Sequence, residues 1–393
     1  MRIYTNVLAA PHAKHLIISN LVGRLPNGMG ALAIVLFLRG HEVGYLPIGV
    51  LTAAYALASA IGGPVLGRLV DHHGQPTVLT VAALGSGAGF ALLAMSEGNL
   101  IVAGVAVVIA GLLTPPLEPC LRSLWPSVLP SEAAVAGAYA LDAALQEVIF
   151  VAGPLLVIGV ISLAGETGAV WVTGLVAVAG TLAFVAARPV RTWRAEPRTP
   201  HWAGPLRSAP LRVLLVSLLC VGTAIGVLNI VAAAYGEHVH QPGLAGYLLG
   251  ANALGALIGG LVYGARAWPG TNRGRMAWLL GALAVCYWPL ASVAAPPVML
   301  GLALISGLFL APVLACGFVI VGEVAPTGTV TEAFAWVVTI FVAGNSLGSA
   351  VAGVVVQNSG LGTAFLLPAI AGTAAAAVVA LSSHYRSAVA ARP

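Results

Sequence analysis

Ionisable and amide side chains stand inside segments that are otherwise apolar, and these are the residues of the chain whose types and spacing can do chemistry. Arg24 is followed three residues on by Asn27, within the run Pro26-Asn27-Gly28. Asp142, Gln146 and Glu147 lie together in one apolar stretch further along. On a helix Asp142 and Gln146 share a face at i, i+4, whereas Glu147 is turned away from them by roughly 140°. A charge near the centre of a bilayer costs at least about 2.5 kcal/mol, so such groups face a bundle interior or a water-filled cavity and pair with one another. Two chemistries follow. Arg24 can form a fixed ion pair with a carboxylate and tie two helices together. Glu147, about fourteen residues past the start of its helix and so near mid-bilayer, can load and release a proton near neutral pH. One pair can do both by changing partners between states. Asn229, Asn252, Trp336 and Asn345 are the polar candidates from the second part of the chain.

Positioning those groups takes an apolar scaffold. Hydrophobic residues make up 59% of the 393-residue chain and charged residues 7%, with a mean hydropathy of +0.99. A soluble domain carries about 25% charged residues to coat its surface, so here the coat must be lipid. The apolar sequence falls into segments of roughly 18 to 27 residues, each long enough to span a bilayer core. Helices are predicted over 15–38, 44–69, 77–95, 99–117, 133–163, 169–187, 210–235, 244–265, 276–295, 298–322, 329–356 and 361–382. Strands of a membrane barrel would instead show about ten residues of alternation. The expected fold is an all-α integral membrane protein with twelve transmembrane helices. No small-residue cleavage site ends a short apolar core after Lys14, so the first helix is expected to be retained.

Basic residues near helix ends mark the cytoplasmic side. With a cytoplasmic N-terminus, that side collects Arg2, Lys14, Arg68, Arg122, Arg188, Arg191, Arg194, Arg198, Arg207, Arg212, Arg266, Arg273, Arg275, Arg386 and Arg392, fifteen of the seventeen Lys and Arg. Arg39 lies at an outer end and Arg24 inside a helix, while Glu42, Glu97, Glu166 and Glu237 fall in outer loops. Both termini are thus expected in the cytoplasm, in a multi-pass protein of the cytoplasmic (plasma) membrane. Topology accounts for the net charge of +5; no basic stripe interleaved with aromatics points to nucleic acid.

The Pro- and Arg-rich stretch 188–208 sits close to mid-chain and reads as a cytoplasmic linker between six-helix bundles at 1–187 and 209–393. An internal repeat supports that division. At an offset of 196, Ile109, Gly111, Leu112, Pro116, Cys120 and Pro130 fall on Ile305, Gly307, Leu308, Pro312, Cys316 and Pro326. At 197, Ile61, Gly62, Gly63 and Gly67 fall on Ile258, Gly259, Gly260 and Gly264, and Phe150-Val151-Ala152-Gly153 recurs as Phe341-Val342-Ala343-Gly344. Six-helix repeats related by an axis along the membrane normal place a substrate site near the midplane between them.

The loop after the second helix, Gly67-Arg68-Leu69-Val70-Asp71-His72-His73-Gly74-Gln75, resembles the Gly-x-Leu-x-Asp-x-x-Gly signature of the major facilitator superfamily. Gly67, Leu69, Asp71 and Gly74 match its spacing, and His72 and Gln75 stand at its basic positions. The resemblance implies a cytoplasmic gate in which Asp71, with Arg68, docks near the start of helix 11. A carboxylate is stabilised at a helix N-terminus and by a neighbouring Arg. Gly153-Pro154 matches the core of a motif associated with the family's antiporters, with Ile149 and Val157-Ile158 where further glycines are expected. The run Thr331-Glu332-Ala333-Phe334-Ala335-Trp336 resembles bacterial efflux-type members. Glu118 with Arg122, and Glu323 with Glu332, lie nearer the cytoplasmic surface and read as gate or packing residues.

No Walker loop, HExxH or GxSxG is present, and no enzyme activity or catalytic residue is expected. Cys120, Cys220, Cys286 and Cys316 show no CxxC spacing and read as packing residues, and His238-x-His240 is a weak metal signal. The expectation is a monomeric carrier in the lipid bilayer that moves a small molecule by alternating access. It takes no cofactor or metal and is driven by protons, with export favoured. A nutrient symporter and a non-transporting sensor on the same fold are the alternatives.

Overall fold

The computed structural model describes residues 2–197, 201–241 and 243–382. Arg198, His384, Arg386 and Arg392 lie outside the described residues. A short helix α1 (Arg2–Ala9) leads into α2 (Ala13–Gly40), α3 (Tyr45–His73) and α4 (Gln75–Ala94). Then come α5 (Leu100–Leu112), α6 (Leu117–Val128), α7 (Glu132–Ala186) and α8 (Arg188–Thr192). The second half comprises α9 (Ala209–His238), α10 (Leu244–Gly264), α11 (Asn272–Tyr287), α12 (Pro296–Gly307), α13 (Leu310–Val324), α14 (Val330–Ala364) and α15 (Leu366–Leu381). No strand occurs among the described residues.

Nine helical stretches among the described residues are long and apolar enough to cross a bilayer, and the difference from the expected segments has a physical cause. At 55 residues, α7 would extend about 80 Å, more than twice the hydrocarbon thickness. It turns at Gly165, whose φ of 72° favours glycine. Both arms then pack on α2, the first where Gly28 meets Ile149 and Gly153, the second where Gly23 meets Gly180 and Thr181. The fifth and sixth expected segments are therefore the two arms of α7. A similar break at Gly360 (φ 81°) ends the long run of α14. At 16 residues each, α11 and α15 fall short of a full span by length alone.

The duplicated glycines take up equivalent contacts in the two halves. A Cβ on Gly62 of α3 would strike the backbone of Leu112, and one on Gly259 of α10 the backbone of Leu308. Reciprocally, Gly111 faces Tyr55 and Ala58, while Gly307 faces Asn252 and Ala256. Small residues let backbones approach where no hydrophobic effect drives helices together. The helix break after Leu112 recurs after Gly307, so α5–α6 and α12–α13 are matching interrupted helices.

One apolar core joins the halves at the end of the bundle that carries Asp71; it includes Val70, Leu124 and Tyr139 of the first half with Phe318, Val321 and Phe334 of the second. Toward the opposite end the first half has a separate core around Met29, Phe37, Leu51, Phe90, Val107 and Val170. The bundle is thus closed at the Asp71 end and divided at the other. Stretch 188–208 is not a bare loop: it contains α8 and a tight helical turn at Gly204–Arg207.

Candidate functional site

Three helices of the first half converge on a buried charge network. Arg24 of α2 and Asp142 of α7 each lie about 15 Å along their helices from the Asp71 end. Arg24 Nη1 is 2.5 Å from Asp142 Oδ1 and 3.3 Å from Asn20 Oδ1, and its Nη2 donates to Gln146 Oε1. The same guanidinium is 3.2 Å from Glu118 Oε2 of α6. Arg122, one turn beyond Glu118, donates from Nε to Asp142 Oδ2 at 2.7 Å and pairs with Glu118 through Nη2. Two cations and two anions thus close a neutral quartet. Neutrality and mutual hydrogen bonds are what make buried charge tolerable. The sequence pattern keeps Glu118 and Arg122 apart from Arg24 and near the surface, yet Arg122 is only 1% exposed. No local spacing could reveal that three helices bring them together.

The second half covers this network with an aromatic face. The Arg122 guanidinium lies 3.4 Å from the ring centroid of Phe318 on α13, a cation–π contact. Tyr139 donates to the Arg122 carbonyl at 3.1 Å, and its ring packs against Phe318 and Phe334. Phe334 falls within the Thr331–Trp336 run, whereas Tyr139 and Phe318 have no distinctive sequence signal.

At the end of the bundle Asp71 bridges the halves. The α14 N-terminus receives no side-chain cap from its own Thr329. Asp71 of α3 supplies one, accepting from the backbone N–H of Thr331 at 3.2 Å and of Glu332 at 2.9 Å. Those N–H groups have no partner within the helix, and the helix dipole adds a favourable positive field. Arg68, expected beside Asp71, instead grips Glu332 with both ends of its fork at 3.0 and 2.7 Å, a bidentate pair across the halves. Gly67 lets α3 approach the Glu332 Cα and Thr331 carbonyl. Gly74, at φ 85°, makes the turn into α4 and packs under Arg194. At the degraded basic position, fully buried Gln75 donates to the Cys120 carbonyl at 3.0 Å, an amide doing a structural job without charge. Arg68 also donates to the Trp202 carbonyl at 3.1 Å, bringing the mid-chain stretch onto the latch.

The remaining candidates are dispersed. Glu147 is half-buried outside the quartet and has no hydrogen bond or ion pair among the described residues. Tyr287 of α11 is fully buried with a hydroxyl that has no hydrogen-bond partner among the described residues. Asn27 is exposed, and Asn229 and Asn345 are half-buried; Asn345 backbone lies against Gly226, so that position serves helix packing. Asn252 donates to Ser306 Oγ at 2.9 Å and ties α10 to α12. Trp336 keeps a buried indole N–H with no hydrogen-bond partner among the described residues. Gly153 meets Gly28 in close helix packing. No cluster of three metal-ligating side chains occurs among the described residues.

The sequence model of the Major Facilitator Superfamily matches residues 16–300. No curated protein matches the sequence. Among solved structures, a bacterial homologue of the iron transporter ferroportin in an outward-facing state is 14% identical with a TM-score of 0.75, over 94% of this chain and 98% of that one. The human organic anion transporter MFSD10 (TETRAN) is 16% identical, TM-score 0.68, over 94% and 99%. FucP, a major facilitator transporter in an outward conformation, is 15% identical, TM-score 0.71, over 94% and 97%. With the family match spanning well over half of the sequence and the helical architecture shared end to end, this chain belongs to the major facilitator superfamily of membrane transporters.

Proposed function

We propose that the protein is a proton-coupled secondary exporter of a small molecule, a drug or metabolite, across the cytoplasmic membrane, working as a monomer with both termini in the cytoplasm. Residues 1–187 rock against 209–393, with Asp71, Arg68 and Glu332 forming the cytoplasmic latch. The concentration of basic residues at that end supports the orientation.

The observation that carries the reading is Glu147, a half-buried carboxylate in mid-helix with no ion pair among the described residues, apart from a quartet that is already neutral. An unpaired charge in the bilayer core is costly, and protonation removes it. A group of this kind changes its charge with the side to which it is open, as a coupling site must. In this reading Arg24, Asn27, Asp142 and Gln146 belong to the polar part of the substrate and proton pathway, with Asn229, Asn252, Trp336 and Asn345 as its candidates from the second half. The proton gradient is the energy source.

The test uses proteoliposomes with an acidic lumen and an internal pH dye, screened with a panel of drugs and metabolites. A transported compound should release lumenal protons in the wild type. In Glu147→Gln that release should vanish, while substrate-for-substrate counterflow and binding remain. Proton release that is unchanged in Glu147→Gln refutes the assignment, and substrate movement in the same direction as protons would reverse export to uptake.

A further inference from the structure

The N-terminal helix α1 has no part in the sequence expectations, and at eight residues it cannot span a membrane. It lies at the Asp71 end, in the seam between α7 of the first half and α10 of the second. Two sockets receive it. Gly137 of α7 faces Ile3 so closely that a Cβ there would strike the Ile3 side chain, and Gly264 of α10 faces the Tyr4 ring in the same way. Val7 is fully buried and joins the core shared by the halves. The Tyr4 hydroxyl donates to the Leu261 carbonyl at 2.9 Å, with the Gly260 carbonyl at 3.2 Å. Leu261 O also accepts from the Ala265 N–H that ends the helix, so Tyr4 adds a second donor where the partial negative charge of the helix end gathers. Burial pushes the Tyr4 phenol up to about 12, so it remains a donor at any physiological pH.

These contacts join the opening segment of the first half to the C-terminal end of a helix in the second. They sit on the α7–α10 seam, away from the α3–α14 seam that Asp71 closes. Crevices of about 960 and 760 Å³ open at this end, one touching the α1–α2 connection at Pro11 and His12, the other touching Ile3. Between the crevices α10 packs directly on α7, with Gly260 facing Ala144 and Gly264 facing Ala140, and α1 lies across the outer side of that contact. We propose that α1 is a strap that locks the α7–α10 seam, a second latch that must release before the Asp71 end can open. The inference rests on the reading that the halves rock, and on nothing about cargo or coupling ion.

The experiment measures the seam directly, by pulsed electron paramagnetic resonance between spin labels at Ala133→Cys and Ala267→Cys. Both positions are exposed, on opposite walls of the 760 Å³ crevice. The full chain is used with Cys220→Ser and Cys286→Ser, the two cysteines that are not buried. Asp71→Asn is introduced to weaken the first latch, and Tyr4→Phe is added to it. Loss of the strap hydrogen bond should raise the wide-seam population about tenfold over Asp71→Asn alone. Gly137→Ala, whose new methyl conflicts with Ile3 alone, should do the same without altering α1. If both combinations leave the distribution of Asp71→Asn unchanged, α1 is not a strap. A defect in proton coupling or an unexpected cargo would leave these distances untouched, so failure of the transport reading stays separable.

Discussion

Asp142 accepts from two guanidinium groups at once, through a different oxygen to each, and that sharing sets what substitutions in the quartet do. Asp142→Asn leaves Arg24 and Arg122 with one carboxylate between them in a buried site, which should cost about 3–5 kcal/mol. Thermal unfolding in detergent should show a large fall in Tm. Pairing it with Arg122→Gln restores neutrality, so the double variant should be more stable than the sum of the single losses; strict additivity would mean that the two side chains do not interact. Glu147 differs in kind, since Glu147→Gln breaks no ion pair and mimics the protonated form, and should leave stability within about 0.5 kcal/mol of wild type. The sequence makes the i, i+4 pairs legible, Asp142 with Gln146 and Glu118 with Arg122, because helical periodicity alone dictates them. It hides the convergence of the two pairs on Arg24, because the rotation and depth of one helix relative to another are settled by packing.

The α3–α14 contact is the element on which closure turns. Asp71→Asn keeps a side chain that can accept one hydrogen bond but loses the charge that favours the α14 N-terminus, and should weaken the latch by about 1–2 kcal/mol. Gly67→Leu should act in the same direction by steric force, because a side chain there meets the Glu332 backbone. Labelling by a membrane-impermeant maleimide of Ala335→Cys, a position 1% exposed in the closed seam, should speed up in both variants; an unchanged rate would exclude this seam from gating. At the same scale, Gly62→Val and Gly259→Val should destabilise alike, since each would drive a side chain into the equivalent backbone of the matching half, and very unequal losses would contradict equivalent packing. These helix contacts are partly legible, since the duplicated glycines stand out at their fixed offset. The strap α1 is not, because eight residues carry no span-length signal and its sockets are glycines far away in sequence.

For the molecule as a whole, the shared core at the Asp71 end and the separate core at the other describe one closed and one parted face. Carrier function requires these to exchange. The direct measurement is a pair of spin-label distances, His73→Cys with Thr327→Cys across the Asp71 end and Tyr45→Cys with Asn358→Cys across the opposite end, all at exposed positions. The wild type should be short at the first and long at the second. Asp71→Asn should lengthen the first population and shorten the second together, as rigid halves rocking against each other demand. If the Asp71 end opens while the opposite distance stays fixed, or if both lengthen together, the halves do not alternate and the protein does not work as a carrier of this kind.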